Sequence, residues 1–148
     1  MNKVKFGIAG FGAMGRHHAE NLKTIPNAEL AAVSDVSEEA LKTAAADFGC
    51  KAFSDYDQLL DKKIIDAVLI ATPHFNHTPV AVKAFERGIH VLCEKPVGVH
   101  INDINKMIQA HKKSDVKFAA MFQLRIHPVW KKVKQLMQAN EIGQIMRT

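Results

Sequence analysis

The feature that most constrains the fold of this 148-residue chain is the glycine motif G-F-G-A-M-G at residues 10–15. An apolar run precedes the motif, and a segment with helical periodicity follows it. A buried strand that leads through G-x-G-x-x-G into a helix is typical of a dinucleotide-binding turn. There Gly10 permits the sharp turn, Gly12 lets the backbone approach a pyrophosphate, and Gly15 lets the helix lie close to the sheet. Because glycine-rich turns are common, the rest of the chain decides whether this one binds a nucleotide.

Short apolar runs alternate with helical patterns along the whole chain, which predicts βαβ units and a parallel sheet. The predicted strands are residues 3–9, 30–34, 51–53, 66–71, 89–93 and 116–121. The predicted helices are residues 13–24, a segment between the N-cap Ser37 and the C-terminal Gly49, and residues 55–61, 76–87, 102–113 and 128–139. The predicted fold class is therefore α/β, a doubly wound parallel sheet of the Rossmann type.

The composition excludes several classes of protein. Hydrophobic residues at 47% and charged residues at 24% are typical of a soluble globular chain of one domain. No apolar run is long enough to span a membrane, and the first strand begins too early to leave room for a signal peptide, so we expect no membrane partner. Two cysteines, Cys50 and Cys93, predict no disulfide framework and suit a reducing cytoplasm.

A formal net charge of +5 raises the question of a nucleic-acid partner. The lysines are scattered, and only residues 131–134, K-K-V-K, are locally dense. A solvated helix face explains this cluster better than a surface that follows a phosphate backbone. Since a dinucleotide is itself an anion, a small-molecule partner accounts for a mildly basic surface, and we expect no nucleic acid.

Asp35 follows the second predicted strand, 20 residues after Gly15. At that spacing a carboxylate accepts hydrogen bonds from the adenine-ribose hydroxyls of NAD and repels the 2′-phosphate of NADP. In the alternative interpretation, Asp35 only begins the turn that leads to Ser37. The distance from the glycine motif favours the ribose role, and therefore NAD, while NADP use stays open.

The segment A-T-P-H-F-N-H at residues 71–77 begins where the fourth predicted strand ends. Ligands of open α/β sheets bind at the carboxyl ends of strands, so this loop is expected to face a cofactor, with Pro73 shaping it against a flat ring. His74 and His77 are close enough in sequence to be a pair of metal ligands, but no third ligand has suitable spacing, so no metal is predicted. For His17 and His18, at the start of the first helix, a structural role is the default.

Glu94, Lys95 and Pro96 follow the fifth predicted strand. A lysine beside an oxidised, positively charged nicotinamide loses its proton more readily, and it can then take a proton from a substrate hydroxyl as hydride leaves. The alternative is a surface Glu–Lys ion pair at a turn, which contributes little. The residues alone leave both interpretations open. Cys93 is interpreted as a buried strand residue rather than a nucleophile.

The chain resembles the glucose–fructose oxidoreductase and inositol dehydrogenase family over essentially its whole length. The resemblance is carried by the glycine motif with His18, by the Ala-Thr-Pro at residues 71–73 with His77, and by the Glu-Lys-Pro at residues 94–96. Residues 66–68, 123–128 and 141–143 also fit the family's pattern. The Glu-Lys-Pro after a fifth strand is its most specific element.

The resemblance implies an NAD- or NADP-dependent oxidoreductase that acts on sugars, inositols or related polyols. It implies that Lys95 is a catalytic residue that contacts substrate and assists proton transfer, and that Arg125 lies near the junction of two domains. The cofactor-binding residues that it implies, together with Asp35, are Gly10, Phe11, Gly12, Ala13, Met14, Gly15, Ala71, Thr72, Pro73, His77, Glu94, Lys95 and Arg125.

Members of that family carry a second, mostly antiparallel α/β domain, which holds the rest of the substrate pocket and the homo-oligomer interface. We therefore interpret residues 1–121 as the dinucleotide-binding domain and residues 122–148 as a connecting helix and the start of the second domain. Residues 145–148 are expected to begin that domain's first strand. The leading hypothesis is the cofactor half of an oxidoreductase, which binds cofactor without full turnover. The alternative is a non-catalytic NAD-binding module for redox sensing or assembly, which would not need Lys95.

Overall fold

The structure, a computed structural model, describes residues 3–144 and 146. Over these residues six strands form one parallel sheet. The strands are β1 (Val4–Ala9), β2 (Ala28–Ser34), β3 (Lys51–Phe53), β4 (Ala67–Ile70), β5 (His90–Cys93) and β6 (Phe118–Ala120). The helices are α1 (Ala13–Lys23), α2 (Glu38–Phe48), α3 (Tyr56–Leu59), α4 (His77–Glu86), α5 (Ile101–Lys112) and α6 (Pro128–Gln138), with 3₁₀ turns at His74–Asn76 and Gln123–Ile126.

The strand order β3-β2-β1-β4-β5-β6 confirms the predicted doubly wound α/β fold. The order reverses between β1 and β4, so the chain winds outward from the centre of the sheet in both directions. Such a reversal leaves a crevice at the carboxyl ends of the two central strands, which is where ligands bind in open α/β sheets. All four residues of β4 are buried, because helices cover both faces of a parallel sheet.

Two hydrophobic clusters hold the layers together. On one face, Ile8 and Leu69 pack with Leu22 of α1. On the other face, Ile70 packs with Phe85 of α4 and with α5. Helices α1, α2, α4 and α5 bury apolar residues against the sheet, and this burial is the main favourable contribution to folding.

The predicted elements are all present, and the differences lie at their ends. The cap prediction for α2 is confirmed: Ser37 Oγ accepts a hydrogen bond from the Ala40 amide at 3.3 Å, and Gly49 ends the helix at φ +63°. Two 3₁₀ turns were not predicted, because single turns carry too few residues to show a hydrophobic period. The peptide bond between Lys95 and Pro96 is cis.

The last part of the chain packs differently from the rest. In α6 every residue is at least partly exposed, including Val129 and Trp130 at 59% and 53%. Residues 145, 147 and 148 lie outside the described part of the chain, and with them the strand predicted at residues 145–148. Within the described residues, no helix has both the length and the apolar character needed to cross a membrane.

Candidate functional site

Three of the predicted site loops leave the sheet at the same edge, where backbone hydrogen bonds join them. The Gly10 amide donates to Ser34 O at 2.8 Å, and the Ala71 amide donates to Ala9 O at 2.8 Å. The Glu94 amide donates to Ile70 O at 3.0 Å. The parallel sheet therefore brings together loops that are far apart in sequence.

A groove of about 570 Å³ lies over the reversal between β1 and β4. This volume is in the range of small-molecule and cofactor sites. The predicted site residues that line it are Gly10, Gly12, Ala13, Met14, Asp35, Ala71, Thr72 and Pro73. Sequence reasoning missed the others, which are Ser34, Val36, Ser54, Tyr56 and Asn76.

The glycines of the motif have different geometries. Gly10 has φ +88°, and a Cβ there would lie 2.6 Å from Ala71 O. A Cβ on Gly15 would lie 2.0 Å from Gly10 O, so α1 begins pressed against the end of β1. A Cβ on Gly12 would meet no atom of the described residues within 4 Å. Gly10 and Gly15 are thus required by close packing, whereas Gly12 leaves open space in the groove.

The amino end of α1 faces this open space. Gly12 is its N-cap, no side chain of the described residues caps it, and its first turn contains no acidic residue. The backbone N–H groups of a first helical turn lack partners within the helix and carry partial positive charge. Thr72 Oγ1, across the groove, is buried and has no hydrogen-bond partner among the described residues. These features fit the pyrophosphate and the neighbouring part of a dinucleotide.

Asp35 makes the turn contact of the alternative interpretation and also lines the groove. Its Oδ2 accepts a hydrogen bond from the Phe11 amide at 2.6 Å, and its Oδ1 accepts one from the Ser37 amide at 2.9 Å. The second contact is the turn of the alternative interpretation. Because Asp35 also lines the groove, the turn holds the carboxylate where a ribose hydroxyl could reach it. The two interpretations are therefore compatible.

Glu94 and Lys95 differ sharply in their surroundings. Glu94 is 6% exposed, its Oε1 lies 2.7 Å from His18 Nε2, and its Oε2 accepts a hydrogen bond from the Lys95 amide at 3.0 Å. The side chain of Lys95 is exposed and forms no ion pair with any described residue. The Glu94 carboxylate thus contacts the backbone of Lys95 and not its ammonium group.

Apart from Glu94 and Lys95, four predicted cofactor residues do not line the groove, and one of them is the closely packed Gly15. The side chain of Phe11 is buried and lies edge-on to Phe48, with ring centroids 5.7 Å apart. His77 is fully buried; its Nδ1 lies 2.8 Å from Pro96 O and its Nε2 lies 2.9 Å from Thr72 O. Arg125 is exposed, with its guanidinium 5.1 Å from the centre of the Phe122 ring. Their cofactor-binding roles stay predictions.

The thiols are not candidates for nucleophilic chemistry. Burial, and to a lesser degree the Glu94 carboxylate, raises the pKa of Cys93 to about 12. Burial also raises the pKa of Cys50. Only the thiolate is a good nucleophile, so the raised pKa of each thiol disfavours nucleophilic chemistry near neutral pH. In the described part of the chain, no group of three or more His, Cys, Asp or Glu side chains could hold a metal ion.

The missed features carried a weak signal in the sequence. Ser54 and Tyr56 follow β3, and only the strand order shows that β3 lies beside β2 and its Asp35. His18 shares the buried face of α1 with Gly15 and Leu22, as helical spacing requires. That spacing predicts that His18 is buried, but it cannot identify Glu94 as its partner.

Comparison with known proteins extends these observations. A family model described as an oxidoreductase family with an NAD-binding Rossmann fold matches residues 4–122. The chain is 34% identical over 142 residues to the myo-inositol 2-dehydrogenase of Thermotoga maritima. It is 33% identical over 142 residues to the glucose-6-phosphate 3-dehydrogenase of Bacillus subtilis. A scyllo-inositol dehydrogenase from Lactobacillus casei, solved with bound cofactor NAD(H) and scyllo-inositol, superposes with a TM-score of 0.91 at 33% identity.

The chain spans less than half the length of these relatives. The matches cover 95% of the chain and 42% of the Thermotoga protein, and 96% of the chain and 40% of the Bacillus protein. The match to the Lactobacillus structure covers 97% of the chain and 43% of that protein.

Proposed function

The chain belongs to the oxidoreductase family with an NAD-binding Rossmann fold, and from this premise we propose that it is the cofactor-binding part of a dehydrogenase acting on CH–OH groups. The proposed substrates are sugars, inositols or related polyols, the class named in the relatives' descriptions. The position of Lys95 is the main observation that supports the proposal. The exposed Lys95 is the second residue of the loop after β5, and β5 lies directly beside β4, whose loop lines the cofactor groove.

The residues of the groove have distinct proposed roles. The amino end of α1 and the open space at Gly12 would hold the pyrophosphate of NAD. The Asp35 carboxylate would accept hydrogen bonds from the adenine-ribose hydroxyls, which favours NAD over NADP. Thr72 and Pro73 would lie against the nicotinamide end. When bound, NAD supplies the nicotinamide that accepts or returns hydride.

Lys95 is the proposed catalytic residue. Its Nζ would take the proton of the substrate hydroxyl during oxidation and return it during reduction. Its side chain is exposed and forms no ion pair with the described residues. Its Nζ is therefore available to a substrate that binds at the carboxyl ends of the strands. General acid–base catalysis by one positioned group typically contributes about 10²–10⁴-fold in rate.

We place the boundary of the dinucleotide-binding domain after residue 121. Residues 122–148, with the exposed helix α6, would connect to a second domain that completes the substrate pocket and forms a homo-oligomer interface. The relatives' additional length is sufficient for such a domain. We also expect a cytoplasmic location, because Cys50 and Cys93 are both free thiols.

Two measurements test this function. The 148-residue chain should bind NADH in a fluorescence or calorimetric titration, because the groove lies entirely within it. An absence of binding at millimolar NADH would contradict the cofactor role.

In the longer enzyme, Lys95→Ala should lower kcat by about 10²–10⁴-fold and leave NADH affinity within about threefold. Lys112→Ala, which removes an exposed lysine at the end of α5, is the matched control and should retain full turnover. If the Lys95 variant turns over as fast as this control, the catalytic role is wrong and a non-catalytic NAD-binding module is favoured.

A further inference from the structure

The loop that carries Lys95 is held by two buried histidines from two different helices. His18 of α1 contacts the Glu94 side chain, and His77 of α4 contacts the Pro96 carbonyl. The histidines are 8% and 0% exposed. Lys95, the residue between these two attachment points, is itself exposed. A functional side chain on a loop is therefore supported on both sides by side chains that solvent scarcely reaches.

The contact on the first side passes through the Glu94 carboxylate. One oxygen accepts a hydrogen bond from His18 Nε2 at 2.7 Å, and the other accepts one from the Lys95 amide at 3.0 Å. Because the carboxylate is bonded at both oxygens, it fixes the start of the Lys95 backbone relative to α1. Hydrogen bonds to a charged acceptor are shorter and stronger than those between neutral groups.

On the second side, the His77 ring lies between the Lys95 loop and the loop after β4. His77 Nδ1 lies 2.8 Å from Pro96 O, and its Nε2 lies 2.9 Å from Thr72 O. Carbonyl oxygens only accept, so each contact needs an N–H on the ring. A neutral imidazole carries one N–H and donates to one oxygen at a time, whereas the protonated ring donates to both. The contact at Nδ1 attaches the end of the Lys95 segment to α4, and Nε2 faces the loop that lines the cofactor groove.

We propose that His18 and His77 are positioning residues for Lys95, whose loop they tie to α1 and to α4. This inference rests on the proposed function, because it assigns a purpose to the position of Lys95. Both histidines act through the Glu94–Pro96 segment and need no contact with cofactor or substrate. Their placement makes the lysine's location depend on the helices that follow two of the loops lining the cofactor groove.

The chemistry of amide side chains provides a sharp test. The amide nitrogen of Asn can occupy the place of a histidine Nδ1, and that of Gln can occupy the place of Nε2. At His18 the essential atom is Nε2, so His18→Gln keeps the contact with Glu94 and His18→Asn loses it. At His77 the atom facing Pro96 is Nδ1, so His77→Asn keeps that contact and His77→Gln loses it. At position 18 the Asn variant should therefore have the larger effect, whereas at position 77 the Gln variant should have the larger effect.

The first readout is amide hydrogen exchange at Lys95 in the 148-residue chain, measured by NMR. His18→Asn and His77→Gln should speed exchange of the Lys95 amide about tenfold, because a lost hydrogen bond loosens the segment locally. His18→Gln and His77→Asn should stay within about twofold of the unsubstituted chain. Amides of β1 and β4 serve as the control for folding and should be unchanged. Equal behaviour of Asn and Gln at both positions would overturn the proposal.

The second readout is steady-state kinetics of the longer enzyme. Loss of either contact should lower kcat by up to about 10²-fold with little change in KM for NAD, since misplacing a reacting group by about 1 Å costs that much. If His18→Asn fails to fold, Glu94→Met removes the same contacts with a side chain of similar length. Unchanged Lys95 exchange in a folded Glu94→Met chain would also overturn the proposal.

The failure of this inference is distinguishable from failure of the proposed function. Full turnover by Lys95→Ala contradicts the catalytic role, whatever the exchange rates are. Exchange rates and kcat values that do not separate Asn from Gln contradict the positioning role, even when Lys95→Ala is inactive.

Discussion

The glycine turn and the Lys95 loop lie at the same edge of one sheet, but they are built in different ways. Around the turn, the groups that face the groove are mostly backbone, and Gly10 and Gly15 are held by direct contact with neighbouring main chain. At the Lys95 loop, a side chain would perform the chemistry, and its support comes from His18 and His77, 76 and 19 residues from their partners. A phosphate site needs a backbone shape, whereas a proton-transfer site needs a supported side chain.

The largest expected effect tests the backbone part of this comparison. Gly15→Ala should reduce the free energy of unfolding by about 3 kcal/mol, because its Cβ would lie 2.0 Å from the Gly10 carbonyl oxygen. Gly12→Ala is the matched control: it enters open space and should cost no more than about 1 kcal/mol while it weakens NADH binding. Urea denaturation of both variants measures the difference. Equal stabilities would show that the turn is not defined by close packing.

A smaller effect is expected at Asp35, whose carboxylate accepts a hydrogen bond from the glycine turn and lines the groove beside it. Asp35→Asn should weaken NAD about tenfold, because the ribose loses a charged acceptor, and should weaken NADP less. The matched control is Asp61→Asn, because Asp61 Oδ1 accepts from the Lys63 amide at 2.9 Å, as Asp35 Oδ1 does from Ser37. Calorimetric titration of both variants with NAD and with NADP measures these losses of affinity. Equal losses for NAD and NADP would remove the ribose role.

The smallest effect is expected at Cys93, the last residue of β5 before the Lys95 loop. With a pKa of about 12, only about one thiol in 10⁴ is ionised at pH 8. Iodoacetamide should therefore leave Cys93 unlabelled in the native chain at pH 8, with NADH binding intact, and should label it in urea. Labelling should rise only as the pH approaches 12. Rapid labelling of the native chain at pH 8 would show that the residues around Cys93 open to solvent. The Lys95 loop would then be held less firmly than the glycine turn.

Local signals predicted most of the fold. The cap at Ser37 and the left-handed Gly49 bracket α2 as expected, because capping depends on residues within one turn of each other. The ends of β2 and β6 were predicted less well, since pairing with a neighbouring strand decides where a strand stops. In the candidate site, Asp35 could be predicted from its spacing to the glycine motif. Tyr56 could not, because its place in the groove depends on which strand lies beside β2.

Sequence patterns alone predicted the alternation of strands and helices, the glycine turn and the position of Lys95 after a buried strand. These follow from hydrophobic period, backbone freedom and residue type, all of which are local properties. The three-dimensional packing was needed to show that the Glu94 carboxylate pairs with His18 rather than with the Lys95 ammonium, and that His77 lies between two loops. Buried polar groups must find partners wherever the fold brings them together, and that choice depends on packing between distant segments.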